Sequence, residues 1–276
     1  MTYDDMTTEE LVGILESSTD RDALVGAAAA LARSGDAAAL PRLGEFLRRE
    51  EFLNRLDDRG DIHIKNRRLE QVFAVLADHP RQETAALCLT LGRDPIFLAD
   101  NDRLTPLLTA LTRVVPMSQE SVAFLEETNR EGYFAFNVPL LVRNGSPRAL
   151  AMFESMIADP DVPAARRVDC LHNALVPHRT ELPILESGVR LLDANLEDEV
   201  YEGVVESVFD YQTKQWYGPA IGAPEPQPWS TAGDDVLHVI LGLTDTVRID
   251  SVSEALADRI DAVRVEVRSI LNQRRR

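Results

Sequence analysis

The chain has 276 residues, 45% of them apolar and 27% charged, with a formal net charge of −17. That acid excess argues against nucleic-acid binding, which needs Lys and Arg along the contact surface, and no run approaches the roughly 18 apolar residues of a membrane span. The acidic start MTYDDMTTEE does not read as a signal peptide, and Cys88 and Cys170 fall inside apolar helical patterns, so the expectation is a cytoplasmic chain without a leader whose cysteines are small buried hydrophobes.

In chain order the sequence predicts paired helices. Thr7 with Glu10 forms a capping box for a short leading helix, and Thr19 with Asp22 caps the next one, an Ala-rich helix running to Ser34. The first pair is 20–34 with 37–49. The following pairs are 66–77 with 80–92, 102–114 with 118–129, 133–144 with 147–158, 163–176 with 180–193, and 197–211 with 232–244. Apolar stripes mark them, such as Leu69, Val72, Phe73, Leu76 and Leu104, Leu107, Leu108, Leu111. Pro41 and Pro183 fall in first turns, where a missing N–H costs little. A last helix, 251–272, carries Val252, Leu256, Ile260, Val263, Val267 and Ile270 on one face and reads as a cap on the stack. The cations are nearly all Arg, with Lys only at 65 and 214, which reads as genome composition rather than function.

Two segments break the period. Residues 51–65 crowd Asp57, Asp58, Asp61 and His63 into a polar stretch, but no second His stands at metal spacing and Arg55 and Arg59 interleave, so a solvated loop is expected and no metal. Residues 213–231, TKQWYGPAIGAPEPQPWST, hold Trp216, Tyr217 and Trp229, with Pro224, Pro226 and Pro228 favouring extended backbone. Two readings stand equal there: a partner-binding loop, or a loop that folds back and packs its tryptophans. Residues 181–240 carry twelve acids against Arg190 and Lys214. Within that stretch Glu199, Glu202, Glu206 and Asp210 form one stripe opposite Val200, Val204, Val205, Val208 and Phe209. The stripe is either a solvated face or a docking surface for a basic partner.

Gly35, Asp36, Ala37, Ala38, Ala39, Leu40, continuing to Leu43 and Leu47, recur as Gly145, Ser146, Pro147, Arg148, Ala149, Leu150, continuing to Phe153 and Ile157. In each copy a helix stops at Gly, turns, and another begins. Two short helices cannot bury their own apolar face, so such units stack on copies of themselves. The stretch AAAALARSGDAAALPRLGEFL, Ala27 to Leu47, resembles a HEAT repeat at Asp36, Leu40, Pro41 and Leu43. Asn144 to Ile157 is a second copy, with Pro147 and Ala151 at motif positions, and Glu181 to Leu192 a weaker third. The resemblance, to HEAT-repeat (armadillo-like) proteins, implies an all-α fold: a right-handed α-α superhelix, or solenoid, of about six helix pairs with a C-terminal capping helix, in one domain over 1–276.

HEAT repeats mostly serve as binding scaffolds, so the resemblance implies a protein or peptide partner and supplies no catalytic residue or cofactor. HEAT-like folds also include alkylpurine DNA glycosylases and bilin lyases. The first need a basic groove, and no residues here match either active site. The five histidines, at 63, 79, 172, 178 and 238, are scattered, and Cys170 and His172 point to opposite sides of a helix. An acidic inhibitor or immunity-type protein is the other alternative, distinguished by one dedicated, salt-sensitive ligand. Partner contact is expected at Trp216, Tyr217, Trp229, Glu199, Glu202, Glu206 and Asp210.

Overall fold

The first helix begins where the sequence places a capping box. Thr7 Oγ1 accepts the Glu10 N–H at 3.2 Å, Glu10 Oε2 accepts the Thr7 N–H at 2.7 Å, and α1 runs Thr8–Ser17. The computed structural model describes residues 2–56, 67–209 and 225–276, and every regular element among them is helical. The chain divides into two compact units, residues 1–124 and 125–276.

In the first unit α1 is followed by α2 (Arg21–Arg33), α3 (Ala39–Leu47), α4 (Glu50–Leu56), α5 (Arg67–Asp78), α6 (Gln82–Gly92), α7 (Pro95–Leu98) and α8 (Asn101–Thr112). The cap of α2 is Asp20, whose Oδ1 accepts the Asp22 N–H at 3.0 Å, one residue later than the predicted Thr19. Leu69, Val72, Phe73 and Leu76 are all at most 1% exposed, so the predicted stripe of α5 is core. Helix α4 overlaps the start of the expected 51–65 loop: Phe52, Leu53 and Leu56 supply a buried i, i+1, i+4 face that is enough for two turns against α2, α3 and α5. Its acids and histidine (Asp57, Asp58, Asp61, His63) lie outside the described residues. The first helices pack in series, α1 on α2, α2 on α5 and α5 on α8, while α3 packs on α6 alongside.

Helix α9 (Gln119–Thr128) reaches the second unit, where a kinked turn, Asn129–Tyr133, with non-helical backbone at Gly132 leads into α10 (Phe134–Asn144). Then come α11 (Pro147–Ala158), α12 (Ala164–Leu175), α13 (Leu182–Asp193), α14 (Asp198–Phe209), α15 (Asp234–Thr246) and α16 (Glu254–Arg274). One row runs α10, α12, α14, α16, each on the next, and a second row runs α11, α13, α15. Gly203 permits the close approach of α14 to α12, since a Cβ there would lie 3.1 Å from Val168 Cγ2.

The two Gly-centred turns of the repeat use different backbones. Gly145 closes α10 in the left-handed region at φ 66°, with its N–H on Leu141 O at 3.3 Å. At Gly35, by contrast, α2 ends in extended backbone at Ser34, and Asp36 Oδ1 turns the chain by accepting the Ala38 N–H at 2.9 Å.

Arginines close several helix C-termini. Arg81 donates to Ala32 O and Ser34 O, each at 2.6 Å, at the end of α2. Arg55 reaches Leu15 O and Glu16 O at the end of α1, Arg167 reaches Ile157 O of α11 at 3.2 Å, and Arg264 reaches Thr244 O of α15. The last carbonyls of a helix have no partner within it, and a planar fork of N–H donors can satisfy two at once where an ammonium is a point charge. The preference for Arg over Lys, read from sequence as compositional, therefore has a structural use.

Candidate partner-binding surface

The acidic stripe lies on α14, whose opposite side, Val200, Val204, Val205, Val208 and Phe209, is at most 2% exposed. Its acids differ in environment. Glu199 is exposed, whereas Glu202 and Glu206 are half-buried, and Asp210 lies outside the described residues. Glu202 Oε1 accepts the N–H of Ser253 at 2.9 Å, and Ser253 is the N-cap residue of α16. A carboxylate at that position satisfies one of the orphan N–H groups around a helix start and faces the positive end of its dipole. Glu202 is thus committed to holding α16, and Glu199 is the clear solvent-facing acid of the stripe.

Trp229 opens a 3-10 turn, Trp229–Thr231, and is 1% exposed. Arg179, also 1% exposed, stacks over its ring with the guanidinium carbon 4.4 Å from the centroid, and Arg179 Nη2 donates to Gln227 O at 2.9 Å. From α16, Arg274 donates to Ser230 O at 2.7 Å, to Ala232 O at 2.9 Å and to Asp234 Oδ1 at 2.7 Å. Of the two readings of this stretch, Trp229 takes the packed one: it is a buried anchor near the start of the described residues 225–276. Trp216 and Tyr217 lie outside the described residues.

Glu202 meets the first residue before α16, and the Trp229 turn is held by Arg274, the last residue of that helix. At 1.5 Å per residue, a helix of 21 residues separates its ends by about 30 Å. The stripe at Glu202 and the turn at Trp229 are therefore two places on the second unit rather than one patch.

Clefts between neighbouring helices are what the sequence reading missed. In the first unit a cleft of about 390 Å³ lies between α3 and α6, lined by Leu40, Pro41 and Gly44 facing Ala86, Leu87 and Thr90. In the second unit one of about 300 Å³ lies between the end of α9 and α11, with Asn129, Met152 and Met156. Another, of about 550 Å³, lies between α13 and α15. The available signal was small residues where helices face each other, such as Gly44, at which a Cβ would lie 2.8 Å from Leu87 Cδ1.

Burial pushes the Cys88 thiol up to about 12 and the Cys170 thiol up to about 11, the latter offset in part by Arg166. Both are free thiols in the core. His172 is buried, and His178 Nδ1 lies 2.7 Å from Glu181 Oε1. Arg167, 2% exposed, pairs with Glu197 at 2.8 Å. Among the described residues no group of His, Cys, Asp and Glu is arranged to hold a metal, and no helix is long and apolar enough to cross a membrane. No protein-family model matches the chain, and no curated protein matches it.

Proposed function

We propose that the chain is a non-catalytic protein-binding scaffold built on HEAT-like helix pairs, a solenoid of about six pairs capped by α16, that receives a basic partner in the cytoplasm. The observation that carries this reading is the packing in rows: within the second unit α10, α12, α14 and α16 form one series and α11, α13 and α15 another. Helix pairs that bury their apolar faces mainly against neighbouring pairs are the unit of a repeat stack. Each unit by itself offers a cleft between helices, α3 and α6 in the first and α13 and α15 in the second, where a partner segment could lie. A net charge of −17 gives the chain a long-range attraction for cations and raises the association rate of a basic partner. On this reading Trp216 and Tyr217, in the segment before the Trp229 anchor, add aromatic contact area, and truncating Trp216 to Ala costs binding about 2 kcal/mol.

Affinity purification of the full chain from its native cell, eluted first at about 0.05 M and then at about 0.5 M salt, tests the proposal because screening weakens an exposed electrostatic contact. The expected result is a basic protein retained at low salt and released at high salt. Release of nucleic acid, or a partner set indifferent to salt, overturns it.

A further inference from the structure

The α13/α15 cleft holds a cation arranged unlike the arginines that close helices. Tyr201 is 1% exposed, and its hydroxyl accepts the backbone N–H of Arg248 at 2.8 Å, so the ring is fixed. The Arg248 guanidinium carbon sits 3.9 Å from the centre of that ring. A guanidinium held over a ring face still has its N–H donors available to other partners. Yet the guanidinium makes no hydrogen bond or ion pair with any described residue, although Arg248 lines a cleft of about 550 Å³. Asp193, Asn195 and Thr246 line the same cleft, with Leu192 and Leu243 as its apolar wall.

We infer that this cleft binds the C-terminal carboxylate of a peptide that carries a basic residue beside its end, with Arg248 as the carboxylate receptor. A guanidinium oriented in advance by an aromatic face presents parallel N–H donors that match a carboxylate, and less rotamer entropy is lost on binding. The surroundings select against a bare anion. Asp193 stands in the wall, Asp250 follows two residues after Arg248, and the whole chain carries −17, so free phosphate or a polyanion meets repulsion. A carboxylate attached to a cation meets Arg248 and Asp193 together, and an apolar last side chain lies on Leu192 and Leu243. Capture of a chain terminus is an established mode of peptide recognition. The inference rests on the scaffold reading and supplies it with a contact of defined chemistry.

The test is an NMR titration of the full chain, following the Arg248 Nε–H signal in the parent and, in the parent and both variants, the backbone N–H signals of the lining residues Asp193, Asn195 and Thr246. The probes are N-acetyl-Lys-Leu with a free carboxylate, the same dipeptide as its C-terminal amide, and inorganic phosphate. The expected result is a saturable shift with the carboxylate form, affinity at least about tenfold weaker for the amide, and phosphate weaker still. Arg248→Ala removes the response and Arg248→Lys, which keeps the charge but not the stacked fork, recovers only part of it. Equal response to acid and amide, tighter binding of phosphate, or no shift at about 10 mM peptide overturns the inference. Should Arg248→Ala not fold, the acid-against-amide comparison on the unaltered chain still decides. No partner protein is present in the titration, so a failed titration beside salt-sensitive capture removes this site and leaves the scaffold reading. A successful titration with no captured partner does the reverse.

Discussion

The guanidinium of Arg179 lies 4.4 Å from the centre of the Trp229 ring, and each of the two side chains is only 1% exposed. A cation over an aromatic face gains most when both are out of water, where the interaction reaches about 2 kcal/mol or more. Trp229→Ala removes that contact and leaves a cavity, so it should lower unfolding free energy by about 3 to 5 kcal/mol. Trp229→Phe, which keeps an aromatic face, should cost clearly less. Urea unfolding of the three proteins checks the order, and an Ala variant as stable as the parent contradicts the packed role.

The acids of α14 should separate into two classes. Glu202→Ala deletes the acceptor for the Ser253 N–H and should destabilise by about 1 kcal/mol, the usual cost of losing a side-chain acceptor at a helix start. Glu199→Ala, at an exposed position, should stay within about 0.5 kcal/mol of the parent. Chemical denaturation of both variants reads the difference. Equal effects would mean that the stripe is uniform.

Arg81 offers the sharpest test of the helix-closing arginines, because its two nitrogens reach two carbonyls of one helix end, each at 2.6 Å. Arg81→Ala strips both carbonyls of their partner and should cost about 1 to 3 kcal/mol. Arg81→Lys, which keeps the charge and N–H donors but not the planar fork, should fall between. Hydrogen exchange in the last turn of α2 should quicken in the same order.

Most helix positions were legible because their apolar periodicity is decided locally. The predicted 147–158 is α11, and 66–77 and 80–92 match α5 and α6 within two residues. Elsewhere the deciding contact is distant in sequence. Helix α4 escapes a periodicity scan because Phe52, Leu53 and Leu56 are few and run into acids, yet neighbouring helices bury them. The join between α9 and α10 has its break near the expected place, as a kink at Gly132, whose φ of 108° is non-helical. Arg81 and Ser34 stand 47 residues apart, so nothing local announces their bond. The same holds for Arg179 and Gln227, which are 48 apart, and it is that long-range anchor that settles Trp229 as a packed residue. The α13/α15 cleft needs α13, Tyr201 and Arg248 to meet, which no spacing rule anticipates.

The buried thiols predict both chemistry and a pH dependence. Cys88 is raised from 9.0 to about 12 by burial, and Cys170 from 9.0 to about 11, also chiefly by burial. Both should react with a thiol reagent only as fast as the fold opens, since the thiolate is the nucleophile. The native state keeps these protons at pH values where the unfolded chain gives them up. Their contribution is therefore intact below pH 9 and stability falls as pH rises from there towards 11 and 12. Unfolding free energy measured at pH 8 and near pH 10 should decline, and Cys88→Ala should lessen the decline while lowering stability overall.

The most direct test of the scaffold proposal is the association rate of the captured partner with the parent chain and with Glu199→Lys, measured across salt concentration. Glu199 is chosen because it is exposed and its reversal leaves the α16 cap intact. The account predicts that the parent's association rate falls steeply with salt, that Glu199→Lys starts slower and depends less on salt, and that the dissociation rates of the two differ little. Association rates that neither respond to salt nor distinguish the two proteins would contradict an acidic docking surface.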